Sequence, residues 1–258
     1  MFDTLDIGNI SFSYNDAPVL HDVSHQFAPG KLTVICGPNG SGKSTLLHIA
    51  SGLVKPTTGA VKLGAHIISE IPAGQRAQRL AMLPQSPEAP SELTVNDLVA
   101  LGRYAYRKPF AGLSTQDKSA ITGALAKTNL NGLGDRTLAQ LSGGQRQRSW
   151  IALVLAQEAP LFLLDEPTNH LDIAHAFETM LLLQKLVREE NKTVVVVLHD
   201  INLMTAFAEE VVLMKAGKII AAGAYEDAVT EHVLSDLYGR RCTFGTVANR
   251  DRPFVVVS

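Results

Sequence analysis

Apolar and polar residues alternate over Leu5–Tyr14 and again over Val23–Phe27, the period-two pattern of strands with one buried face. The turn-forming run Asn15-Asp16-Ala17-Pro18 lies between them. Four other stretches, Leu32–Cys36, Leu80–Leu83, Leu161–Leu164 and Thr193–Leu198, are short apolar runs without that alternation. They predict strands covered on both sides. Helical spacing predicts Lys43–Ser51, stopping at Gly52, then Val95–Leu101, Asp117–Thr128, Gly144–Ala156 and Ala174–Glu190. Val211–Met214 and Lys218–Ala221 bracket Ala216-Gly217 as a hairpin, and Phe254–Val257 is a last apolar run. Between Pro84 and Leu141 the chain is first polar and proline-bearing, then helical. This predicts a helical lobe at about residues 85–145, inserted in an α/β core. No repeat or low-complexity linker interrupts the pattern, so one domain over residues 1–258 is expected, with an N-terminal antiparallel β subdomain and a mainly parallel sheet flanked by helices.

Composition narrows the partners. With 46% hydrophobic and 19% charged residues in 258, the chain can bury a full core and is not of the disordered class. Twenty-three Lys and Arg against 25 Asp and Glu give a net charge of −2, which argues against a nucleic-acid partner. Cys36 and Cys242 stand far apart, outside any C-x-x-C spacing, as expected in a reducing compartment. Met1–Ile10 has no basic start followed by an apolar stretch, so no signal peptide is expected. The longest apolar runs, Trp150–Ala156 and Val194–Leu198, fall far short of the roughly 18–20 residues that span a bilayer, so a membrane role would come through a partner.

The chemistry begins at Gly37-Pro38-Asn39-Gly40-Ser41-Gly42-Lys43-Ser44-Thr45, a phosphate-binding loop (P-loop) pattern between a strand and a helix. Glycines let successive N–H groups point at phosphate oxygens, Lys43 adds a charge, and Ser44 offers a hydroxyl to Mg²⁺. The apolar run Leu161–Leu164 delivers Asp165 and Glu166 at its C-terminal end, where open α/β sheets bind ligands. Asp165 is placed to hold Mg²⁺ and Glu166 to polarise an attacking water. Leu141-Ser142-Gly143-Gly144-Gln145 opens a helix with a capping hydroxyl and bare N–H groups, a second anion site.

Together these three stretches resemble the ATPase subunit of ATP-binding cassette (ABC) transporters, with Leu141–Gln145 as that family's signature. The resemblance runs to about Tyr238 and implies a P-loop NTPase core that hydrolyses ATP with Mg²⁺. It implies that Tyr14 stacks on adenine, that Gln85 touches Mg²⁺ or the water, that Asp172 pairs across a dimer, and that His199 contacts the γ-phosphate. Asn169-His170 departs from the commoner Ser-Ala before Leu-Asp, which bears on the dimer contact. His170 and His175 carry no assignment, since their spacing does not place both on one helical face. In the family two subunits meet head to tail, so Ser142, Gly143, Gly144 and Gln145 would face the ATP on the partner's Lys43. The implied partners are a second copy, membrane-spanning permease subunits and, indirectly, an extracytoplasmic binding protein. The implied location is the cytoplasmic side of the inner membrane, held peripherally through the permease.

Gln145–Ala152 with its Trp150, Leu171–His175, Leu198–Asn202 and Gly102-Arg103-Tyr104 with the aromatic-basic loop Tyr106–Phe110 are similar to the ATPases of ferric-siderophore importers. Haem and vitamin B12 importers use related subunits, and a soluble ABC ATPase of iron–sulfur cluster assembly is the alternative without a membrane partner. A nucleic-acid or ribosome factor would carry two cassettes or a coiled-coil insertion, and neither is found.

Overall fold

The computed structural model describes residues 3–108, 111–169, 171–246 and 252–258. Strands β1 (Leu5–Tyr14) and β2 (Ala17–Phe27) form a hairpin in which Tyr14 pairs with Ala17. Asn15 and Asp16, both at positive φ, make a two-residue loop, so the second strand starts at Ala17, well before the expected Val23. Strand β3 (Leu32–Cys36) runs into the glycine loop and helix α1 (Lys43–Ala50). Next, β4 (Thr58–Leu63) and β5 (His66–Ile67) complete an antiparallel sheet of order β2-β1-β4-β5. Helix α2 (Ala73–Arg79) leads to β6 (Leu80–Leu83).

The segment that follows is helical, as expected. It holds α3 (Val95–Ala100), a 3₁₀ segment over Leu101–Tyr106 and α4 (Thr115–Lys127), all packed near α5 (Gly143–Ala156). Both α3 and α4 begin with capping boxes, Thr94 with Asp97 and Ser114 with Asp117, which satisfy N–H groups the helices leave unpaired. Arg103 is buried, its side chain 1% exposed. Its Nε donates to Asp117 Oδ1 at 2.8 Å, and Nη1 donates to Ala156 O at 2.8 Å and Glu158 Oε2 at 2.7 Å. The Tyr106 ring covers its guanidinium at 4.1 Å. Leu101 and Tyr104 point outward instead, at 51% and 78% exposed. Pro109 and Phe110 of the expected aromatic-basic loop lie outside the described residues.

The chain then re-enters the core through β7 (Leu161–Asp165), α6 (Ile173–Glu190), β8 (Thr193–Val197), α7 (Ile201–Phe207), β9 (Glu210–Lys215) and β10 (Lys218–Ala224). It ends with α8 (Tyr225–Ala228), α9 (Glu231–Tyr238) and a two-stranded ribbon, β11 (Cys242–Gly245) with β12 (Phe254–Val257). The main sheet has the order β10-β9-β3-β8-β7-β6, parallel except for the β9–β10 hairpin.

Its strands explain the unbroken apolar runs, because successive side chains enter two different cores. Val34, Phe162, Leu164, Val194 and Val196 join the core shared with the helical segment and α6. Ile35, Leu161, Leu163, Val195 and Val197 join the one shared with α1 and the antiparallel sheet. A strand buried on both faces needs no polar positions. Among the described residues no helix is long and apolar enough to cross a membrane.

Candidate active site

In-register parallel pairing brings three strand ends together. Ile35 of β3 and Asp165 of β7 both pair with Val197 of β8, so the glycine loop, the two carboxylates and His199 leave the sheet side by side. Two glycines make the loop possible. A Cβ on Gly37, at φ +156°, would lie 2.1 Å from Met214 O, and one on Gly42, at φ +95°, would lie 2.6 Å from Leu20 Cδ2. Lys43 is 4% exposed and curls back, its Nζ donating to Gly37 O and Pro38 O at 2.9 Å each. Burial pushes its pKa down, opposed by the nearby Cys36, Glu166 and Asp165.

Asp165 is 1% exposed and accepts from Ser44 Oγ at 3.0 Å through Oδ1. Its Oδ2 is buried without a hydrogen-bond partner among the described residues, with His48 Nε2 3.9 Å away. Burial raises its pKa, against the pull of the Ser44 hydrogen bond. A carboxylate oxygen with an unused lone pair beside a serine hydroxyl is a hard-oxygen donor set of the kind Mg²⁺ takes, so these residues fit the ion.

Glu166 is 4% exposed and sits at φ +52°, a left-handed conformation that a glutamate adopts only where its surroundings enforce it. Its N–H donates to Val197 O at 3.2 Å. Oε2 accepts from Gln85 Nε2 at 2.7 Å and from Asn169 Nδ2, while Oε1 pairs with His199 Nε2. Gln85, Glu166 and His199, far apart in sequence, are thus one constellation. They line an open cavity of about 440 Å³ together with Asn39, Gly40, Gly42, Lys43, Ser44 and Thr45. Two members are additional to the expected set. Asn169 was read only as part of a loop, although its position three residues after Glu166, where its N–H donates to Glu166 O at 3.1 Å, was a usable signal. Val19 of β2 reaches the cavity only through tertiary packing and left no signal.

The other expected residues lie outside that lining. Tyr14 is 48% exposed and meets Phe12 edge to face at 4.7 Å. Ser41 is buried, with its hydroxyl unpaired. Ser142 caps α5: its Oγ accepts from Gln145 N at 3.2 Å, and its own N–H donates to Gln145 Oε1 at 3.0 Å. Ser142 and Gly143 are exposed, and Gly144 faces Leu171, whose Cδ2 would be 3.6 Å from a Cβ there. Gln147 Nε2 donates to Pro167 O at 3.0 Å, tying α5 to the loop after Glu166. Asp172 is exposed and caps α6 by accepting from His175 N at 2.8 Å. His175 Nδ1 also approaches both of its oxygens at 2.8 Å, and these contacts hold the Asp172 pKa down. His170 lies outside the described residues.

A family model described as ABC transporter matches residues 20–169. The chain is 42% identical over 233 residues to the "Probable siderophore transport system ATP-binding protein YusV" of Bacillus subtilis, covering 90% of this chain and 85% of the relative. It is 40% identical to the ferric enterobactin transport ATP-binding protein FepC of Escherichia coli, covering 90% and 86%. Among solved structures, an ATP-binding cassette dimer in a post-hydrolysis state with ADP and Pi superposes with a TM-score of 0.77 and 31% identity, covering 85% of this chain and 98% of that one. A match over more than half the chain, and relatives aligned nearly end to end, carry one conclusion: the chain belongs to the ABC transporter family, as an ATP-binding subunit that hydrolyses ATP.

Proposed function

We propose that this chain powers the import of a ferric siderophore, working as a homodimer on the cytoplasmic face of membrane-spanning permease subunits that receive cargo from an extracytoplasmic binding protein. The cargo class rests on the names of the relatives, siderophore for YusV and ferric enterobactin for FepC. The membrane partner is supported by the outward-facing Leu101 and Tyr104 of the helical segment, an apolar surface that a soluble scaffold ATPase would not need. The dimer is supported by the solved cassette dimer and by the signature residues standing outside the cavity of their own chain.

The observation that carries the catalytic assignment is the buried Glu166 carboxylate gripped by Gln85, Asn169 and His199 beside the glycine loop. The loop N–H groups of residues 39–45 and the Lys43 ammonium would receive the phosphates, Lys43 exchanging its two carbonyl contacts for phosphate oxygens. Ser44, Asp165 and Gln85 would hold Mg²⁺, which when bound neutralises charge on the β- and γ-phosphate oxygens. Once His199 turns its Nε2 from Glu166 towards the γ-phosphate, Glu166 accepts a proton from the attacking water, whose oxygen bonds to the γ-phosphorus as the bond to the β–γ bridging oxygen breaks and ADP leaves. Tyr14, at the tip of the first hairpin, offers its ring to adenine. Ser142, Gly143, Gly144 and Gln145 close the site from the second copy, with Asp172 at the seam between the two.

Glu166→Gln tests this. ATP affinity should stay within about threefold, turnover should fall by roughly 10²–10⁴ for loss of a general base, and an ATP-bound dimer should accumulate. Steady-state hydrolysis at the parent rate would remove Glu166 from its role.

A further inference from the structure

Helix α6 is buried along one side through Ala176, Thr179, Met180, Leu183, Leu186 and Val187. It also carries apolar side chains on a second side. Ile173, Phe177 and Leu181 are 88%, 39% and 47% exposed. Their spacing of i, i+4, i+8 aligns them in one stripe about 12 Å long at 1.5 Å per residue. Large apolar residues scattered singly over a surface need no explanation, but three in register along one helix mark a contact surface. Phe177, at the middle of the stripe, is held in place by the edge of Phe207 from α7 at 4.8 Å.

What lies next to the stripe indicates its occupant. Ile173 directly follows Asp172, the cap of α6, and Leu171 packs against Gly144 in the signature turn. One continuous face therefore runs from Ser142 over Leu171 and Asp172 to Ile173, Phe177 and Leu181. Its first part already belongs to the contact with a second copy in the function proposed above, on which this step rests. A closed two-fold dimer uses the same patch on both subunits, and an apolar stripe is self-complementary.

We infer that the Ile173–Phe177–Leu181 stripe extends the dimer interface beyond the nucleotide sites and packs against the same stripe of a second copy of this chain. The free energy of dimerisation then has an apolar part that does not depend on ATP contacts, and the stripe helps set how tightly the ATP-bound pair closes.

The test uses full-length Glu166→Gln protein with ATP and Mg²⁺, read by sedimentation equilibrium. Leu181→Asp and Leu181→Lys, each added to that variant, alter an exposed position and should leave the circular dichroism and melting temperature of the monomer unchanged. Each should weaken dimerisation at least tenfold, Leu181→Met should not, and an equimolar Asp and Lys mixture should recover to within about threefold of the parent. Dimerisation at parent strength in either charged variant would overturn the inference. So would a mixture as weak as its components, because the stripe would then not face itself. If Glu166→Gln alone stays monomeric with ATP, the shared-site reading itself has failed, a result distinct from either of the others.

Discussion

Gly37–Thr45 is anchored at both ends in its own chain, with Lys43 at 4% exposure, two carbonyls on its ammonium, Met214 packed against Gly37 and Leu20 against Gly42, and only its tip at Asn39 and Gly40 exposed. Ser142–Gln145 stands at a helix tip with Ser142 and Gly143 in the open, held by its own capping box and by Leu171 against Gly144. Both present N–H groups suited to an anion, yet they are supported differently. The first gains its order from burial in one subunit and should hold phosphate by itself. The second is rigid only locally and needs a ligand brought to it from outside. Under the proposed function the expected consequence is a division of labour: changes in the loop should act on nucleotide binding, and changes at the signature on what a dimer does with the bound nucleotide.

The largest expected effect comes from breaking the anchored half. Lys43→Ala removes a buried charge from the phosphate site, a loss of about 2–5 kcal/mol for such contacts, or roughly 30-fold to several thousand-fold in ATP affinity. Calorimetric titration of the monomer measures it, and an unchanged affinity would refute the phosphate cradle. Ser142→Arg should abolish turnover by obstructing the partner's site while monomer affinity remains. Mixing the two variants sharpens the contrast, because one heterodimer site then combines an intact loop with an intact signature. Partial recovery of hydrolysis is expected, and none in any ratio would mean self-contained sites.

The signature half depends instead on how its helix is anchored. Arg103 binds the far end of α5 through Ala156 O and Glu158, and binds α4 through Asp117. Arg103→Met leaves Asp117 buried beside an apolar side chain, and breaking such a pair costs about 3 kcal/mol of stability. Glu158 is half exposed and adds little. The Ser114 hydrogen bonds and Arg103 hold the Asp117 pKa at about 2 against an ordinary 3.8. A depressed carboxyl pKa stabilises the fold fully above the unfolded value and progressively less as pH falls from about 4 towards 2. Denaturant melts across that range should show a shallower acid loss in Arg103→Met than in the parent, since the Ser114 bonds alone remain. Equal slopes would show that Arg103 does not set this carboxyl.

The same contrast governs what could be read in the sequence. The glycine loop was legible because its chemistry lies within nine consecutive residues, and Asp165-Glu166 because four apolar residues precede them. Glu166 at positive φ was not legible, since that conformation is fixed largely from two other segments, by Val197 and His199 at the end of β8 and by Gln85 after β6, with Asn169 adding a contact from its own loop. Arg103 between a glycine and a tyrosine reads as a surface residue, and only the folded positions of 117, 156 and 158 bury it. Helix α2 has no buried residue and therefore no amphipathic face to detect, and β4 carries Gly59, its second residue, at positive φ against the backbone of Gly8 and Asn9. Tyr14 was assigned from resemblance alone, and its half-exposed ring beside Phe12 shows why no local pattern could have assigned it.

The smallest change is the most discriminating for the exposed half. Ser142→Ala deletes the hydroxyl that accepts from Gln145 N and keeps the reciprocal bond, since the N–H of residue 142 still reaches the Gln145 side chain. Loss of a serine cap costs about 1 kcal/mol, which in a chain of this size lowers the melting temperature by roughly 2–4 °C. If the hydroxyl only caps α5, turnover in the dimer should fall by no more than this loss of helix order allows, within about threefold. If it also binds the partner's γ-phosphate, turnover should fall tenfold or more at the same small thermal shift, because a capping bond is regained by water in the monomer whereas a phosphate contact in a closed dimer is not. The head-to-tail arrangement requires the second result, and a melting shift without a loss of rate would leave the signature serine as a helix cap alone.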